Sequence, residues 1–269
     1  MPELPEVETT VSELRSKIIG RKILKVWTDT GKIFKPDFLT FKKGVISQTI
    51  KAISRRGKNI IIKLGSGEYI LVHQKMTGSL LYGTEIKNPY IHLILFLDKG
   101  RLALSDLRKF AKVAFIPDLK AYPDYQKLGP EPLNKEFTLE KFREILKKSK
   151  GKIKKVLLDQ NKIAGIGNIY SDEILFEAKI SPLRETQKLK VKETKILYSA
   201  IKKILKKAIK AKGTSVSDYR RPSGEKGNFA KFLKVYRREG EPCPRSCGGK
   251  VQRLKFGGRS AHFCPRCQK

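Results

Sequence analysis

Cysteine is missing from the first 242 residues of this 269-residue chain; all four lie in the last 27. No disulfide framework can therefore run through the body of the protein. No apolar run approaches the roughly 20 residues that a bilayer-spanning helix needs. The N-terminus is acidic and has no apolar core segment, so it does not read as a signal peptide. These absences set the expectation of a cytoplasmic, nucleoid-associated protein with no membrane partner. Acid is also scarce, with 26 Asp plus Glu against 59 Lys plus Arg and a formal net charge of +33. Such a balance predicts a polyanionic partner bound in a salt-sensitive way. A lysine-rich proteome would give the same totals without nucleic acid. No internal repeat is evident, and nothing is of low complexity beyond the lysine enrichment.

Against that background the first eight residues stand out. Met1-Pro2-Glu3-Leu4-Pro5-Glu6-Val7-Glu8 holds three carboxylates and no Lys or Arg; the first basic residue is Arg15. Part of this is helix-start chemistry. Pro5 suits a first turn, Glu6 and Glu8 suit the positive end of a helix, and Val7, Val11, Leu14 and Ile18 recur at helical spacing. Pro2-Glu3 is left over. With Met1 removed, Pro2 becomes a secondary amine titrating near the reference value of about 8, able to attack an electrophilic carbon. Glu3 is then one residue away as a proton donor or acceptor.

Short β-type runs follow at Lys22–Thr30, Val45–Ile53, Asn59–Leu64, Glu68–Gln74, Ile91–Leu97, Arg101–Ser105 and Phe110–Ile116. Gly65-Ser66-Gly67 and Asp98-Lys99-Gly100 read as hairpin turns. Regular strands of this kind suggest a sandwich or barrel. Four prolines between 117 and 133 mark a boundary. Beyond it the pattern turns helical, with Thr138 as an N-cap and a short helix over Lys152–Asp159. In Gly165-Ile166-Gly167-Asn168 the glycines let the backbone approach a phosphate, and a helix opens at Asn168. From Thr194 to Lys212 one helix face is apolar and another lysine-rich, most simply a solvated face. Cys243 and Cys247 are separated from Cys264 and Cys267 by 16 residues. Two such pairs suit a tetrahedral zinc site; two disulfides are the competing assignment. Val251–Phe256 and Ser260–Phe263 are the expected strands of the enclosing hairpin.

The opening run, the His73-Gln74-Lys75-Met76-Thr77-Gly78 turn, the Asp106-Leu107-Arg108-Lys109-Phe110 segment, the Leu157–Glu173 run and the cysteine pairs together resemble the bacterial formamidopyrimidine-DNA glycosylases. The resemblance spans the chain. It implies an α+β fold: an N-terminal β-sandwich domain with a leading helix over 1–117, a linker over 118–133, a helix–two-turn–helix domain over 134–234 and a β-hairpin zinc finger over 235–269. It departs from the family in three places. Leu107, Lys109 and Ala111 stand in a segment that is Asp-Pro-Arg-Arg-Phe-Gly in relatives. Gln74 replaces a leucine. The first cysteine pair has three intervening residues, where two are usual.

The resemblance assigns roles residue by residue. Pro2 matches the nucleophile and Glu3 the general acid/base. Lys58, in the basic turn Arg55-Arg56-Gly57-Lys58, matches the lysine that reaches the scissile nucleotide; an ordinary surface turn is the bland alternative. His73 and His92 match residues at the DNA backbone, although an apolar strand around His92 also suits a structural histidine. Met76, Arg108 and Phe110 match the side chains that fill the gap left by an extruded base; packing in the core is the alternative for Met76 and Phe110. Lys150 and Asn168 match phosphate contacts, and Arg259 matches the finger-tip arginine. The polar segment Gly213–Phe229 resembles the loop that closes over the extruded base, without a residue that can be singled out. The expected function is removal of oxidised purines from duplex DNA by a monomeric glycosylase and AP lyase with one structural zinc. The alternatives are an endonuclease VIII-type enzyme for oxidised pyrimidines and a zinc-stabilised DNA-binding protein without catalysis.

Overall fold

The structure, a computed structural model, describes residues 1–269, the side chain of Ala121 excepted. The chain forms two compact units. The first comprises Met1–Lys127 and Ala211–Ala230, and the second Leu128–Lys210 and Lys231–Lys269. The segment 211–230, expected within the helical region, is thus part of the first unit. Among the described residues no helix is long and apolar enough to cross a membrane.

In the first unit, helix α1 (Leu4–Ile18) buries Leu4, Val7, Val11, Leu14 and Ile18, the stripe read from its spacing. Nine strands follow: β1 (Ile23–Thr28), β2 (Phe34–Lys35), β3 (Ile50–Arg56), β4 (Asn59–Leu64), β5 (Tyr69–His73), β6 (Ser79–Gly83), β7 (Ile91–Leu97), β8 (Arg101–Ser105) and β9 (Lys112–Ile116). They make a four-stranded sheet in the order β1-β7-β8-β6 and a five-stranded sheet in the order β2-β9-β5-β4-β3. One apolar core draws on α1 and both sheets, with Val26, Leu93 and Leu102 from the first sheet and Ile60, Ile62 and Val72 from the second. This is the expected sandwich with a leading helix.

Strand β2 and a one-turn helix at Pro123–Gln126 were not read from the sequence, and two further elements differ from that reading. Val45 ends a helix, α2 (Phe38–Val45), and the strand begins only at Ile50. The helix has its own start signal: the Asp37 side chain accepts the Thr40 N–H at 2.9 Å. Strand β6 was not anticipated; it is held by pairing with β8, from Ser79 opposite Ser105 to Gly83 opposite Arg101.

A one-turn helix, α3 (Pro123–Gln126), closes the first stretch of this unit. The second unit holds α4 (Leu139–Lys147), α5 (Ile153–Leu158), α6 (Asn168–Ala178), α7 (Val191–Lys210) and a hairpin of β10 (Gln252–Phe256) and β11 (Arg259–Phe263). The Thr138 hydroxyl caps α4 through the Lys141 N–H. Gly257 and Gly258, both with positive φ, form the two-residue hairpin turn.

Candidate functional site

The start of α1 collects buried acid. Glu3 is 3% exposed and Glu6 1% exposed, and Pro2 is buried beside them. Glu3 is the N-cap, and its N–H donates to Glu6 Oε2 at 2.8 Å. The cap role and the chemical role fall on the same carboxyl, so the helix-start reading and the catalytic reading are compatible. Lys58, on the β3–β4 turn, is 7% exposed. Its turn is tied to the helix by Arg55, which donates to Glu8 at 2.8 Å and to the Gly57 carbonyl at 3.1 Å. The Met1 α-amine lies in the same field. Burial lowers its pKa and the Lys58 charge acts the same way, while the charges of Glu3, Glu6 and Asp218 oppose the shift. The structure therefore brings Pro2, Glu3 and Lys58 together.

The segment after α7 packs onto this helix start. Glu6 Oε1 accepts the Thr214 N–H at 2.7 Å, and the Tyr219 hydroxyl donates to the Glu6 carbonyl at 3.0 Å. Burial, reinforced by the Glu6 charge, raises the Tyr219 pKa and keeps the phenol protonated. Gly213 sits at φ +78°, and a Cβ there would come within 2.8 Å of Glu6 Oε1. Further along, Arg221 pairs with Glu13 at 2.6 Å, and the Arg220 N–H reaches Ser79 Oγ at 3.2 Å. Glu6 thus serves the first residues of the chain and residues some 208 positions later. The sequence offered no local signal for that.

Two turns of the same unit present the gap-filling candidates. Met76 is 39% exposed and Phe110 47% exposed; neither is core, which removes the bland reading of both. The Arg108 guanidinium stacks 4.5 Å from the Phe110 ring centre. Each tip is preceded by a lysine with left-handed backbone, Lys75 at φ 52° and Lys109 at φ 53°. Asp106 holds the loop in shape. One carboxylate oxygen accepts the Ala111 N–H at 2.7 Å; the other accepts from the Thr77 hydroxyl and, at 3.3 Å, from the Arg108 N–H.

His73 is held neutral. Its Nδ1 accepts the Lys75 N–H at 3.0 Å, and burial, with the Lys75 and Lys58 charges, pushes its pKa down to about 3. A neutral ring accepting at Nδ1 carries its proton on Nε2. His92 is 5% exposed; its Nδ1 meets the Asp29 carboxylate at 2.9 Å and its Nε2 meets the Asp106 carbonyl at 3.0 Å. Both nitrogens are engaged inside the unit, which leaves neither for a phosphate in this arrangement. Gln74, in place of a leucine, is fully buried with neither amide atom hydrogen-bonded.

In the second unit Gly167 caps α6 and Asn168 is its first helical residue. The Asn168 Oδ1 is buried without a partner. Gln160 closes the two-turn loop before the helix. Its Oε1 accepts the Gly165 N–H at 2.9 Å and its Nε2 donates to the Ile166 carbonyl at 2.8 Å. Lys150 is exposed ahead of α5, and Arg259 is exposed at the hairpin tip. Two acids of α6 hold later segments in place, Asp172 the hairpin and Glu173 the stretch 234–236 that precedes it. Asp172 accepts from Lys154 Nζ at 2.5 Å and from the His262 N–H and Nδ1, each at 3.0 Å; Lys154 also donates to the Ser260 carbonyl at 2.8 Å. Glu173 accepts the N–H groups of Lys234, Val235 and Tyr236 at 2.9–3.0 Å. Burial raises its pKa, and these three donors oppose the rise.

The four cysteine Sγ atoms lie within 4.8 Å of one another, with Cys243–Cys267 at 3.8 Å and Cys247–Cys264 at 3.5 Å. These separations exclude disulfides, whose sulfurs are about 2.05 Å apart. They match the roughly 3.8 Å edge of a tetrahedron with zinc–sulfur bonds of about 2.3 Å. Four thiolates at this distance repel each other unless a cation sits between them: without one, burial pushes Cys267 up to about 12.

The family profile "Formamidopyrimidine-DNA glycosylase N-terminal domain" matches residues 1–113, "Formamidopyrimidine-DNA glycosylase H2TH domain" matches 128–220, and "Zinc finger found in FPG and IleRS" matches 240–269. The chain is 42% identical over 273 residues to the formamidopyrimidine-DNA glycosylase of Carboxydothermus hydrogenoformans, with all of both chains covered. It is 41% identical over 275 residues to that of Pelotomaculum thermopropionicum, covering 100% of this chain and 99% of the relative. Lactococcus lactis Fpg in complex with abasic-site DNA superposes with a TM-score of 0.92 at 39% identity, over 99% of each chain. A variant of the same protein in complex with Fapy-dG DNA gives 0.93 at 39% identity, over 100% of each.

Proposed function

The chain belongs to the formamidopyrimidine-DNA glycosylase family, the base-excision repair glycosylases of oxidised purines, and from that premise we propose that it is bifunctional, cutting the strand after it removes the base. The amine of Pro2, freed by loss of Met1, attacks C1′ of the lesion nucleotide. The C1′–N9 bond breaks, and the purine leaves with the proton it needs. The Pro2 nitrogen gives up its proton and expels O4′, which is protonated as the C1′–O4′ bond breaks, and the opened sugar is left as an iminium. This loses a proton from C2′ as the C3′–O bond breaks and the 3′ phosphate leaves. A second elimination, taking a proton from C4′, breaks the C5′–O bond and releases the 5′ phosphate. Glu3 carries protons among these steps, and Lys58 neutralises the adjacent phosphate. Met76, Arg108 and Phe110 occupy the emptied place in the stack, with Arg108 donating to the unpaired base.

Neutral His73 offers Nε2–H to the backbone, where Lys150, Asn168 and Arg259 supply further phosphate contacts. One zinc ion held by Cys243, Cys247, Cys264 and Cys267 supplies folding energy to 240–269, since four thiolates leave no open position for water. One observation carries this reading: buried Glu3 and Lys58 converge on the first residues of the chain.

Borohydride trapping on a duplex with one 8-oxoguanine opposite cytosine is the test. A chain starting at Pro2 is expected to crosslink, and one whose Met1 is retained is not. A crosslink that persists with the amine blocked places the nucleophile elsewhere. Metal analysis of the same preparation is expected to give one zinc per chain.

A further inference from the structure

Met76 stands on one turn, and Arg108 and Phe110 stand on another, yet one hydroxyl joins the two turns. Thr77 Oγ1 donates to Asp106 Oδ1 and accepts the Arg108 N–H at 3.2 Å. Asp106 is 1% exposed, and its other oxygen is committed to the Ala111 N–H. Its carbonyl accepts the Lys109 N–H at 3.1 Å and faces His92 Nε2. Behind them the Asp29 carboxylate meets His92 Nδ1 and accepts Lys109 Nζ at 3.2 Å. These bonds form a single network that Thr77 joins from the Met76 turn, while the buried Gln74 amide of that turn stays outside it.

We propose that Thr77 is a positioning residue that makes the Met76 turn and the Arg108–Phe110 loop one mechanical body, so that the three side chains enter the duplex together. The proposal rests on the reading of this chain as a base-extruding glycosylase. Its physical basis is the cost of order. Two independent turns would each lose conformational freedom on insertion, whereas turns already bonded to each other have lost most of it beforehand. Thr77 Oγ1 has protein groups for both its partners. It acts through Asp106 and the Arg108 backbone.

The test is a double-mutant cycle. Met76→Ala, Phe110→Ala and the pair are made in the parent chain and again with Thr77→Val, and excision of 8-oxoguanine from duplex is followed as kcat/KM. In the parent the two losses are expected to overlap, the pair falling by clearly less than the product of the singles. With Thr77→Val the losses should multiply, and Thr77→Val alone should lower kcat/KM by on the order of tenfold. Thr77→Ser, which keeps the hydroxyl, should restore both the rate and the overlap. The inference is overturned by the same overlap in both backgrounds, or by Thr77→Ser behaving like Thr77→Val while both melt like the parent. Borohydride trapping at a pre-formed abasic site, where no base leaves the stack, is expected to survive Thr77→Val. Failure of trapping in the parent chain itself would instead sink the catalytic reading beneath.

Discussion

The Arg108 guanidinium lies over the Phe110 ring, 4.5 Å from its centre, although both residues are exposed. A planar cation on an aromatic face contributes about 0.5–1 kcal/mol at an exposed site. Arg108→Lys keeps the charge and loses the flat stack. Binding to a duplex carrying a tetrahydrofuran abasic analogue is expected to weaken about two- to fivefold, the equivalent of that energy. Fluorescence anisotropy at fixed salt measures it. Unchanged affinity would mean the stack does not preset the pair.

Gln74 buries a whole carboxamide with no hydrogen-bond partner. An unsatisfied buried amide costs about 1–3 kcal/mol, and a leucine of similar volume removes that cost. Gln74→Leu is therefore expected to stabilise the protein by about that amount. In urea the midpoint should rise with the slope unchanged. A lower midpoint would show that the amide is satisfied in solution.

Lys154 and Asp172 are both fully buried, and their pair also positions β11 through Ser260 and His262. Removing one charge of such a pair strands the other, at about 3–5 kcal/mol; replacing both is far milder. Asp172→Asn should destabilise by roughly that much, and adding Lys154→Met should recover most of it. The comparison is made by denaturant titration of the two variants. A double variant no better than Asp172→Asn would assign the loss to the His262 contacts alone.

His73 gives the acid limb of stability a definite sign. Its folded pKa, about 3, lies below the ordinary 6.5. Between these values the unfolded chain binds a proton that the folded chain refuses, so stability rises with pH over this window. The contribution is complete above about 6.5 and lost as pH falls toward 3. His73→Gln, which does not titrate, should flatten the dependence over that interval. Parallel unfolding curves from pH 4 to 7 are the measurement; identical slopes in parent and variant would refute the assignment.

How much of this was legible before the structure depended on range. The buried stripe of α1, the Thr138 cap, the β10–β11 hairpin and the cysteine cluster are encoded within a few residues, and their spacing announces them. Helix α2 went unread: the run that reads as a strand begins at Val45, which the structure makes the last residue of a helix capped at Asp37. Strand β6 is only five residues long and owes its existence to β8. The roles of Glu6, Asp172 and Glu173 were not readable at all. The distant backbone N–H groups that their carboxylates accept lie 61 to 208 positions away, and such contacts leave no periodic trace. His92 has two readings, a backbone contact by resemblance and a structural histidine by its apolar strand, and here both its nitrogens bond within the unit.

The first unit is not a contiguous length of chain. It needs residues 211–230, which are reached only after α7 has been completed. Excising Met1–Lys127 would leave Glu6, Glu13 and Ser79 without the groups they hold through Thr214, Arg221 and Arg220. During synthesis, the acid-rich opening stretch must therefore wait for some two hundred further residues before its surroundings are whole. A fragment carrying only the first 127 would regain them only if a peptide spanning 211–230 were supplied in trans.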